Sequence, residues 1–406
     1  LVDWDNDGVF TGTGEDVTSR LLPPLSWRRG RDYASQLTGR SVAGKLTAVL
    51  DNTSGDYSSF NTSSPLTGKM LPGRKLRLDI GSGSFPYTFP ILLEAPQFVG
   101  FLDSIEPISR VQGKNTAVLV AHGALGHVNE EDVELAMATT KGTGAAMGDV
   151  LDDAGWPAGD RDIDAGQTTM TRFWLDQQKA LTALRAIERT EGGFLREKPN
   201  GDIRFEERHA RLKAPHTVSQ ATFRGDAPGG FPYTFPVLFE GGLGYSEPRQ
   251  IDPLPNIFNR FPIDVVTYGV GALATLWTHP ETGASSPLLT PGESRLFTAR
   301  YPTPSAPTDA VAVDAWTTPV ASTDYTANSA SGGGGTDLTS DIGVVVTKTA
   351  QAMGVALTNN GSTSAYITLL QARGTPVTQN DPVRVVAEDT ASQTTYGQRT
   401  FSPREQ

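Results

Sequence analysis

The stretch DQQKALTALRAIERTEGGFLREKPNGDIRFEER, residues 176–208, contains a complete local unit of structure. Ala180, Leu184 and Ile187 fall at helical spacing on one face, and Gly192 stands where a C-terminal helix cap is expected. The Asn-Gly pair that follows is a strong hairpin signal, because alternating runs flank it on both sides. The stretch therefore predicts a helix followed by a two-stranded hairpin, a small α+β unit.

Most of the remaining chain has the pattern of β structure. Its 43 Gly and 28 Pro interrupt short apolar runs, which favours a mainly β fold class over a helical one. Strands are predicted at 46–52, 74–80, 98–108, 263–270, 343–350, 364–374 and 383–389. The last four suit a β-sandwich or small barrel. We also expect a strand that runs into a turn at 115–125, and a short helix from 144 that stops before Pro157.

With 406 residues, the chain is too long for one ordinary hydrophobic core, so we expect several domains. The composition shifts at three points along it. Residues 1–110 are strands and turns, 111–212 are α+β, 213–260 are rich in Pro and Gly, and 261–387 are again all β.

The charge and the missing cysteines exclude several classes of protein. The chain carries 34 Lys and Arg against 45 Asp and Glu, a net charge of −11, which argues against a nucleic-acid binder. Without cysteine there is no disulfide framework and no thiolate metal site. No stretch resembles a membrane span or a secretory leader. Because the sequence begins at Leu1 rather than Met, we expect it to be part of a longer or processed chain.

One motif occurs twice, as FPYTFPILLE at 85–94 and FPYTFPVLFE at 231–240. Its prolines remove backbone donors along one edge, so an extended segment of this kind cannot be a central strand. Two interpretations stay open: core-packing edge strands, or arms laid onto neighbouring subunits, where aromatic residues anchor interfaces. The candidate interface residues are Phe85, Tyr87, Phe89, Phe231, Tyr233 and Phe235.

The stretch DWDNDG at 3–8 has the residue order that opens a calcium-binding loop. Position 12 of such a loop, where a bidentate carboxylate is needed, is Gly14, and Glu15 comes one residue late. The stretch is either an Asp/Gly-rich turn without a cation or a Ca²⁺ site outside the EF-hand pattern. The candidate ligands are Asp3, Asp5, Asp7 and Glu15. No other cofactor is expected.

The remaining residues give no convincing enzyme active site. His122 and His127 do not have the spacing of a zinc-binding helix, and we interpret all five histidines as surface or packing residues. The adjacent carboxylates at 152–153 and 206–207 diverge in direction and make poor acid/base pairs. Nucleophile-elbow and phosphate-loop motifs are missing from the sequence. We therefore expect a protein that is not an enzyme.

Several stretches resemble tail proteins of long-tailed bacteriophages. The N-terminal pattern from Asp3 together with residues 50–78 and 98–108 resembles minor tail proteins, especially those of phages with actinobacterial hosts. The unit around 148–211 resembles the second domain of tail hub proteins. VRVVAEDTASQTTYGQR, 383–399, resembles the point at which hub chains return to their third domain.

This resemblance implies a structural virion protein, a trimeric tail hub that joins the hexameric tail tube to the three-fold tail tip around the DNA exit channel. It implies two tail-tube-like β-barrels, one at 1–110 and one formed by 213–260 and 388–406. The α+β domain at 111–212 and an inserted β-sandwich-like domain at 261–387 would complete the chain.

The implied partners are two further copies of the chain, the tail-tube or distal tail ring proteins, the tape measure protein and other tail-tip or fibre proteins. The genome DNA would pass without specific binding. The implied location is the tail tip of the virion, after synthesis in the host cytoplasm.

Two alternatives stay open at this point. The first is a receptor- or carbohydrate-binding tail-tip component, in which aromatic side chains such as Trp277 and Trp316 stack on sugars. The second is the non-catalytic part of a tail-associated cell-wall hydrolase.

Overall fold

The computed structural model describes residues 1–31, 41–79, 96–109, 114–214, 217–218, 223–224, 243–244, 258–279 and 286–401. Both copies of the repeated aromatic motif, with the six candidate interface residues, lie outside the described residues. The fold is mainly β, as the sequence predicts. Single-turn 3-10 helices occur at Thr18–Arg20, Ala158–Asp160, Ala210–Leu212 and Thr339–Asp341.

The first unit is a five-stranded antiparallel sheet that curls into a half-barrel. Its strands are β1 (Leu21–Arg31), β2 (Ser41–Asp51), β3 (Lys75–Leu78), β4 (Phe98–Ile108) and β5 (Thr116–Gly123). Their order in the sheet is β1-β2-β5-β4-β3. Leu46, Ala48 and Leu50 alternate along β2 and are buried together with Trp4 and Phe98. Bulges in β1 and β4 interrupt the strand register, which increases the bend of the sheet.

The second unit is the predicted α+β unit, with more strands than predicted. Its elements are α1 (Ala124–Val128), β6 (Asp132–Gly142), α2 (Thr143–Asp153), β7 (Arg161–Ile163), β8 (Thr169–Lys179), α3 (Ala180–Glu191), β9 (Phe194–Glu197) and β10 (Ile203–Glu206). Strands β6 and β8 form an antiparallel ribbon, and β7-β10-β9 form a second sheet. Helices α2 and α3 pack with both sheets around one apolar core.

The local predictions for this unit are confirmed with one exception. Helix α3 ends at Gly192, whose φ of 67° is the left-handed conformation that favours glycine. Strands β9 and β10 form the predicted hairpin. The turn predicted after Gly123 was wrong, because the chain there forms α1, with Leu125 and Val128 buried on one side.

A two-stranded ribbon lies at the start and end of the last unit. It pairs β13 (Arg260–Val265) antiparallel with β23 (Val383–Glu388), and α4 (Thr390–Tyr396) follows β23. Among the residues described between the second unit and β13, β11 (Phe223–Arg224) and β12 (Leu243–Gly244) form a short parallel pair. The single strand predicted at 263–270 was wrong, since β13 and β14 (Tyr268–Val270) belong to different sheets.

Between β13 and β23 the chain forms a β-sandwich. The further strands are β15 (Ala274–His279), β16 (Leu288–Leu289), β17 (Ser294–Arg300), β18 (Ala310–Trp316), β19 (Tyr325–Asn328), β20 (Ile342–Lys348), β21 (Ala352–Asn359) and β22 (Ala365–Gln379). Strand β22 pairs with β14, β15, β16, β18 and β19, and β17-β21-β20 form the facing sheet. Phe297 and Val355 of one sheet share a core with Ile367 and Leu370 of the other.

Strand β22 runs past the point where its sequence predicts an end. Gly374 and Pro376 lie within the strand, although both residue types usually end strands. A Cβ atom at Gly374 would lie 2.7 Å from Val313 Cγ1, so glycine permits the close approach of β18. The antiparallel pairing of β18 with β22 shifts register at two points along β18.

The first two units are joined by a buried carboxylate. Glu197, at the end of β9, accepts hydrogen bonds from the backbone N–H of Gly44 at 2.9 Å and of Leu125 at 2.7 Å. A Cβ atom at Gly44 or at Gly123 would overlap this carboxylate. Burial raises the pKa of Glu197, because the charged form loses water on folding. The two glycines therefore provide the space for the contact, and the two N–H groups stabilise the charge.

We expect Gly123→Ala to lower the free energy of unfolding by about 3 kcal/mol, because the added methyl group overpacks the site and displaces Glu197 from its donors. The matched control is Gly148→Ala in α2, where a Cβ atom meets no atom within 4 Å; that change should stabilise the helix by up to about 1 kcal/mol. Urea titration of both variants measures the difference. Equal stabilities of the two variants would contradict the role of the glycine.

Candidate metal centre

The N-terminal segment folds back on itself before β1 begins. The backbone N–H of Val2 donates to the carbonyl oxygen of Glu15 at 2.9 Å, and the indole Nε1 of Trp4 donates to the carbonyl oxygen of Gly14 at 3.0 Å. Val2 also pairs with Leu76 of β3 in an isolated bridge. Trp4 is buried in the core of the half-barrel. The sheet therefore holds both ends of the Asp-rich loop.

Three of the four predicted ligands come together in this loop. One carboxylate oxygen from each of Asp3, Asp7 and Glu15 lies within 4.8 Å of the other two. Asp3 and Glu15 are each only 1% exposed, whereas Asp7 is exposed. The fourth, Asp5, is not a member of the cluster, because its carboxylate forms an ion pair with Lys69 at 2.5 Å.

The backbone satisfies these carboxylates only in part. Asp3 accepts hydrogen bonds from the N–H groups of Asp7 at 3.1 Å and Gly8 at 2.9 Å. Glu15 Oε2 accepts from Gly12 N at 2.6 Å. Its other oxygen, Oε1, is buried and has no hydrogen-bond partner among the described residues. Glu15, which carries this orphaned oxygen, is one of the three residues of the cluster.

The charge of this cluster needs compensation. In the described part of the chain, no Lys, Arg or His forms an ion pair with Asp3, Asp7 or Glu15. Like charges held this close together repel one another, and a bound cation would offset that repulsion. Carboxylate and carbonyl oxygens are the ligands that Ca²⁺ prefers. Asp3, Asp7 and Glu15 could therefore supply part of the oxygen shell of a Ca²⁺ ion, which takes roughly 6–8 ligands.

A second buried carboxylate, Glu191 at the end of α3, is fully compensated by protein groups. It accepts hydrogen bonds from Thr143 Oγ1 at 2.8 Å, from the backbone N–H of Gln167 and Thr168 at 2.9–3.1 Å, and from Arg208 Nε at 3.1 Å. Burial alone would raise the pKa of Glu191, but the donors outweigh it and lower the pKa to about 2. This carboxylate is a structural anchor between α2, α3 and the loop before β8.

The adjacent carboxylates noted in the sequence bind separate partners. Asp152 accepts from Arg161, and Asp153 accepts from the backbone N–H of Glu134. Glu206 accepts from Arg196, while Glu207 contacts Gln167 and Lys213. Each of the four therefore has its own structural role.

The side chains of His122, His127 and Trp316 are packed against other residues. The rings of His122 and His127 stack with centroids 6.0 Å apart beside Glu130, which agrees with their interpretation as packing residues. No sequence spacing signalled this pair, because a strand-to-helix corner brings the rings together. Trp316 lies in the sandwich core with its indole N–H bonded to the Thr349 carbonyl, so it cannot stack on a sugar.

None of the helices in the described ranges is long and apolar enough to span a membrane. No protein-family model and no curated protein matches the chain.

At least three solved structures align with the chain, all at low similarity. The 43 kDa tail protein of prophage MuSo2 from Shewanella oneidensis is 13% identical, with a TM-score of 0.30 over 45% of this chain and 52% of that one. A tail protein from Neisseria meningitidis MC58 is 12% identical, with a TM-score of 0.29 over 45% and 49%. The chain thus spans about half the length of these two proteins.

The third structure is the Escherichia coli protein c3393. It is described as a component of the type VI secretion system with structural similarity to the bacteriophage T4 tail proteins gp27 and gp5. It is 10% identical, with a TM-score of 0.32 over 87% of this chain and 73% of that one. Likeness at this level does not assign a function.

We expect Ca²⁺ to stabilise the folded chain and so to raise its thermal unfolding midpoint. When the free Ca²⁺ concentration is a hundredfold above Kd, the stabilisation is about 2.7 kcal/mol. Glu15→Gln should abolish this response. In the presence of a chelator it should also unfold at a higher temperature than the wild type, because one repelling charge is gone. Asp5→Asn is the matched control, since Asp5 pairs with Lys69 outside the cluster. A Ca²⁺ response that survives Glu15→Gln would refute the site.

Through Glu191, the free energy of unfolding depends on pH between the folded and the ordinary pKa of this carboxyl group. Its folded pKa of about 2 lies below the ordinary 4.5, so its contribution is complete above pH 4.5 and is lost as the pH falls towards 2. Glu191→Gln should therefore cost roughly 2–3 kcal/mol at neutral pH and little at the acid end. The exposed Asp176→Asn serves as the control. Urea titrations across the window measure the difference, and a pH-independent cost would contradict it.

Proposed function

We propose that this protein is a structural component of a phage tail, a homotrimeric hub that joins the tail tube to the tail tip and surrounds the DNA exit channel. The sequence resemblance given above supports this function. The structural observation that carries it is an exposed apolar stripe on the ribbon of β13 and β23.

The stripe comes from the register of the two strands. Phe261, Ile263 and Val265 stand opposite Ala387, Val385 and Val383, and residues directly opposite in an antiparallel pair share one face. The five large side chains of this set are 40–60% exposed. We call this set, Phe261, Ile263, Val265, Val383, Val385 and Ala387, the ribbon stripe.

A stripe of this kind favours an assembling protein. Contiguous exposed apolar surface marks interaction sites. The opposite face of the ribbon carries the ion pairs, with Arg384 bonded to Asp264 at 2.9 and 3.2 Å and Arg260 paired with Glu388 at 3.6 Å. The two faces of the ribbon therefore differ in polarity, and the stripe occupies the apolar one.

The net charge is compatible with a channel for DNA. At −11, the chain repels phosphate groups, which would keep DNA from sticking while it passes. In this proposal the units described above are the hub domains at 1–110, 111–212 and 261–387. The same proposal includes the second barrel and the repeated aromatic motif as an interface segment. It also includes contacts to tail-tube, tape measure and fibre proteins.

Carbohydrate binding has less support from the side chains. Trp316 is buried, and the indole of Trp277 stacks on His279 with ring centroids 5.7 Å apart. Neither ring is presented as a free platform for a sugar.

If the ribbon stripe joins the copies of the chain, lysine substitutions within it should change the oligomeric state. The wild-type chain should form a trimer by light scattering, with a ring in negative-stain averages, and Ile263→Lys combined with Val385→Lys should shift it to monomers. Val345→Lys, on the exposed face of β20, is the matched control and should stay trimeric. Circular dichroism checks that all variants fold. A wild-type monomer at micromolar concentration, or a trimer indifferent to both lysines, would contradict the proposal.

A further inference from the structure

A cluster of two histidines and a glutamate lies where the half-barrel joins the α+β unit. His122 is the penultimate residue of β5, His127 is in α1, and Glu130 follows two residues after α1 ends. His122 Nε2 lies 3.4 Å from Glu130 Oε1, and His127 Nδ1 lies 3.8 Å from Glu130 Oε2. One ligand atom from each residue falls within 4.8 Å of the other two.

Both ring nitrogens that face this point are buried and have no hydrogen-bond partner in the described part of the chain. Both nitrogens lie farther from the Glu130 carboxylate oxygens than the roughly 2.7–3.2 Å of an N–H···O hydrogen bond. Buried polar atoms without a partner are uncommon in folded proteins. Two of them aimed at the same carboxylate therefore point to a ligand between the three groups.

The surrounding residues hold the imidazole rings in place. Phe101 of β4 stacks on His127 with ring centroids 4.0 Å apart, and Trp156 meets Phe101 edge-on at 5.8 Å. Gly126 allows the corner to close, because a Cβ atom there would lie 2.9 Å from the Cβ atom of His122. A site built on packed aromatic rings needs little reorganisation to bind an ion.

We propose that His122, His127 and Glu130 bind a transition-metal dication of the Zn²⁺ class. Imidazole nitrogen and carboxylate oxygen are zinc ligands at about 2.0–2.2 Å, which sets ligand atoms about 3.3 Å apart in a tetrahedral site. The distances of 3.4 Å from His122 Nε2 to Glu130 Oε1 and of 3.8 Å from His127 Nδ1 to Glu130 Oε2 are near that spacing, each to a different oxygen of the carboxylate. Three protein ligands leave the fourth position to water or to a partner's side chain.

The metal would fix the corner between the first two units. It would tie the end of β5 to α1, the helix whose Leu125 N–H donates to Glu197. The site is independent of the proposed hub function and of the Asp-rich loop, whose oxygen ligands suit Ca²⁺ instead.

The test uses the tag-free full chain, stripped of metal and kept in excess Ca²⁺ so that the N-terminal loop does not respond. Titration calorimetry with Zn²⁺ should show one site per chain, and Co²⁺ should give the visible absorption of a tetrahedral centre. Zn²⁺ should raise the unfolding midpoint by several degrees. His122→Ala, His127→Ala and Glu130→Gln should each weaken binding at least tenfold and remove the Co²⁺ spectrum.

Glu131→Gln and His209→Ala are the matched controls, because both residues are exposed and lie outside the cluster; they should bind as the wild type does. If a histidine variant fails to fold, Glu130→Gln decides, since it keeps the shape of the side chain. No Zn²⁺ binding at tens of micromolar, or binding that all three variants leave unchanged, would overturn the proposal.

Discussion

The contact between the Glu197 carboxylate and the N–H groups of Gly44 and Leu125 fixes the distance between the half-barrel and the α+β unit. A buried charge tolerates little displacement, because each lost donor leaves it uncompensated. Arg185 of α3 reinforces the same junction by donating to the carbonyl oxygen of Ser41. The helix, the hairpin and the sheet edge are thus positioned by a few directional bonds rather than by apolar packing alone. The histidine cluster lies beside this junction and depends on its geometry.

The buried carboxylates of the chain differ in how they are neutralised. Glu191 has hydrogen-bond donors on every side, and Glu188 pairs with Arg185 at 2.8 Å. Asp3 accepts two backbone N–H bonds and Glu15 accepts one, and Glu15 Oε1 has no hydrogen-bond partner among the described residues. Perturbed carboxylates often mark active sites. In this chain, the carboxylate whose pKa is lowered to about 2, Glu191, has a full set of donors, whereas the carboxylate oxygen without a donor is in the Asp-rich loop.

The sequence predicts what is local and misses what depends on tertiary contacts. Helix α3 and its hairpin were predictable because helical periodicity, the cap and the Asn-Gly turn all lie within one short stretch. The Asp-rich loop was predictable in composition, but the pairing of Asp5 with Lys69 depends on a distant part of the chain. Strand β22 continues through Gly374 because β18 packs against it, which no local pattern reveals. The histidine pair was missed because its spacing fits neither a strand nor a helix.

Strand β22 also determines when the sandwich can form during synthesis. Five strands pair with it, and the first of them, β14, pairs Tyr268 with Gln379. At roughly 5–20 residues per second on the ribosome, these strands wait several seconds for the strand that they pair with. Non-local pairing of this kind folds slowly. A nascent chain that stalls before Ala365 therefore exposes five open strand edges, and chaperones would be needed most at this stage of synthesis.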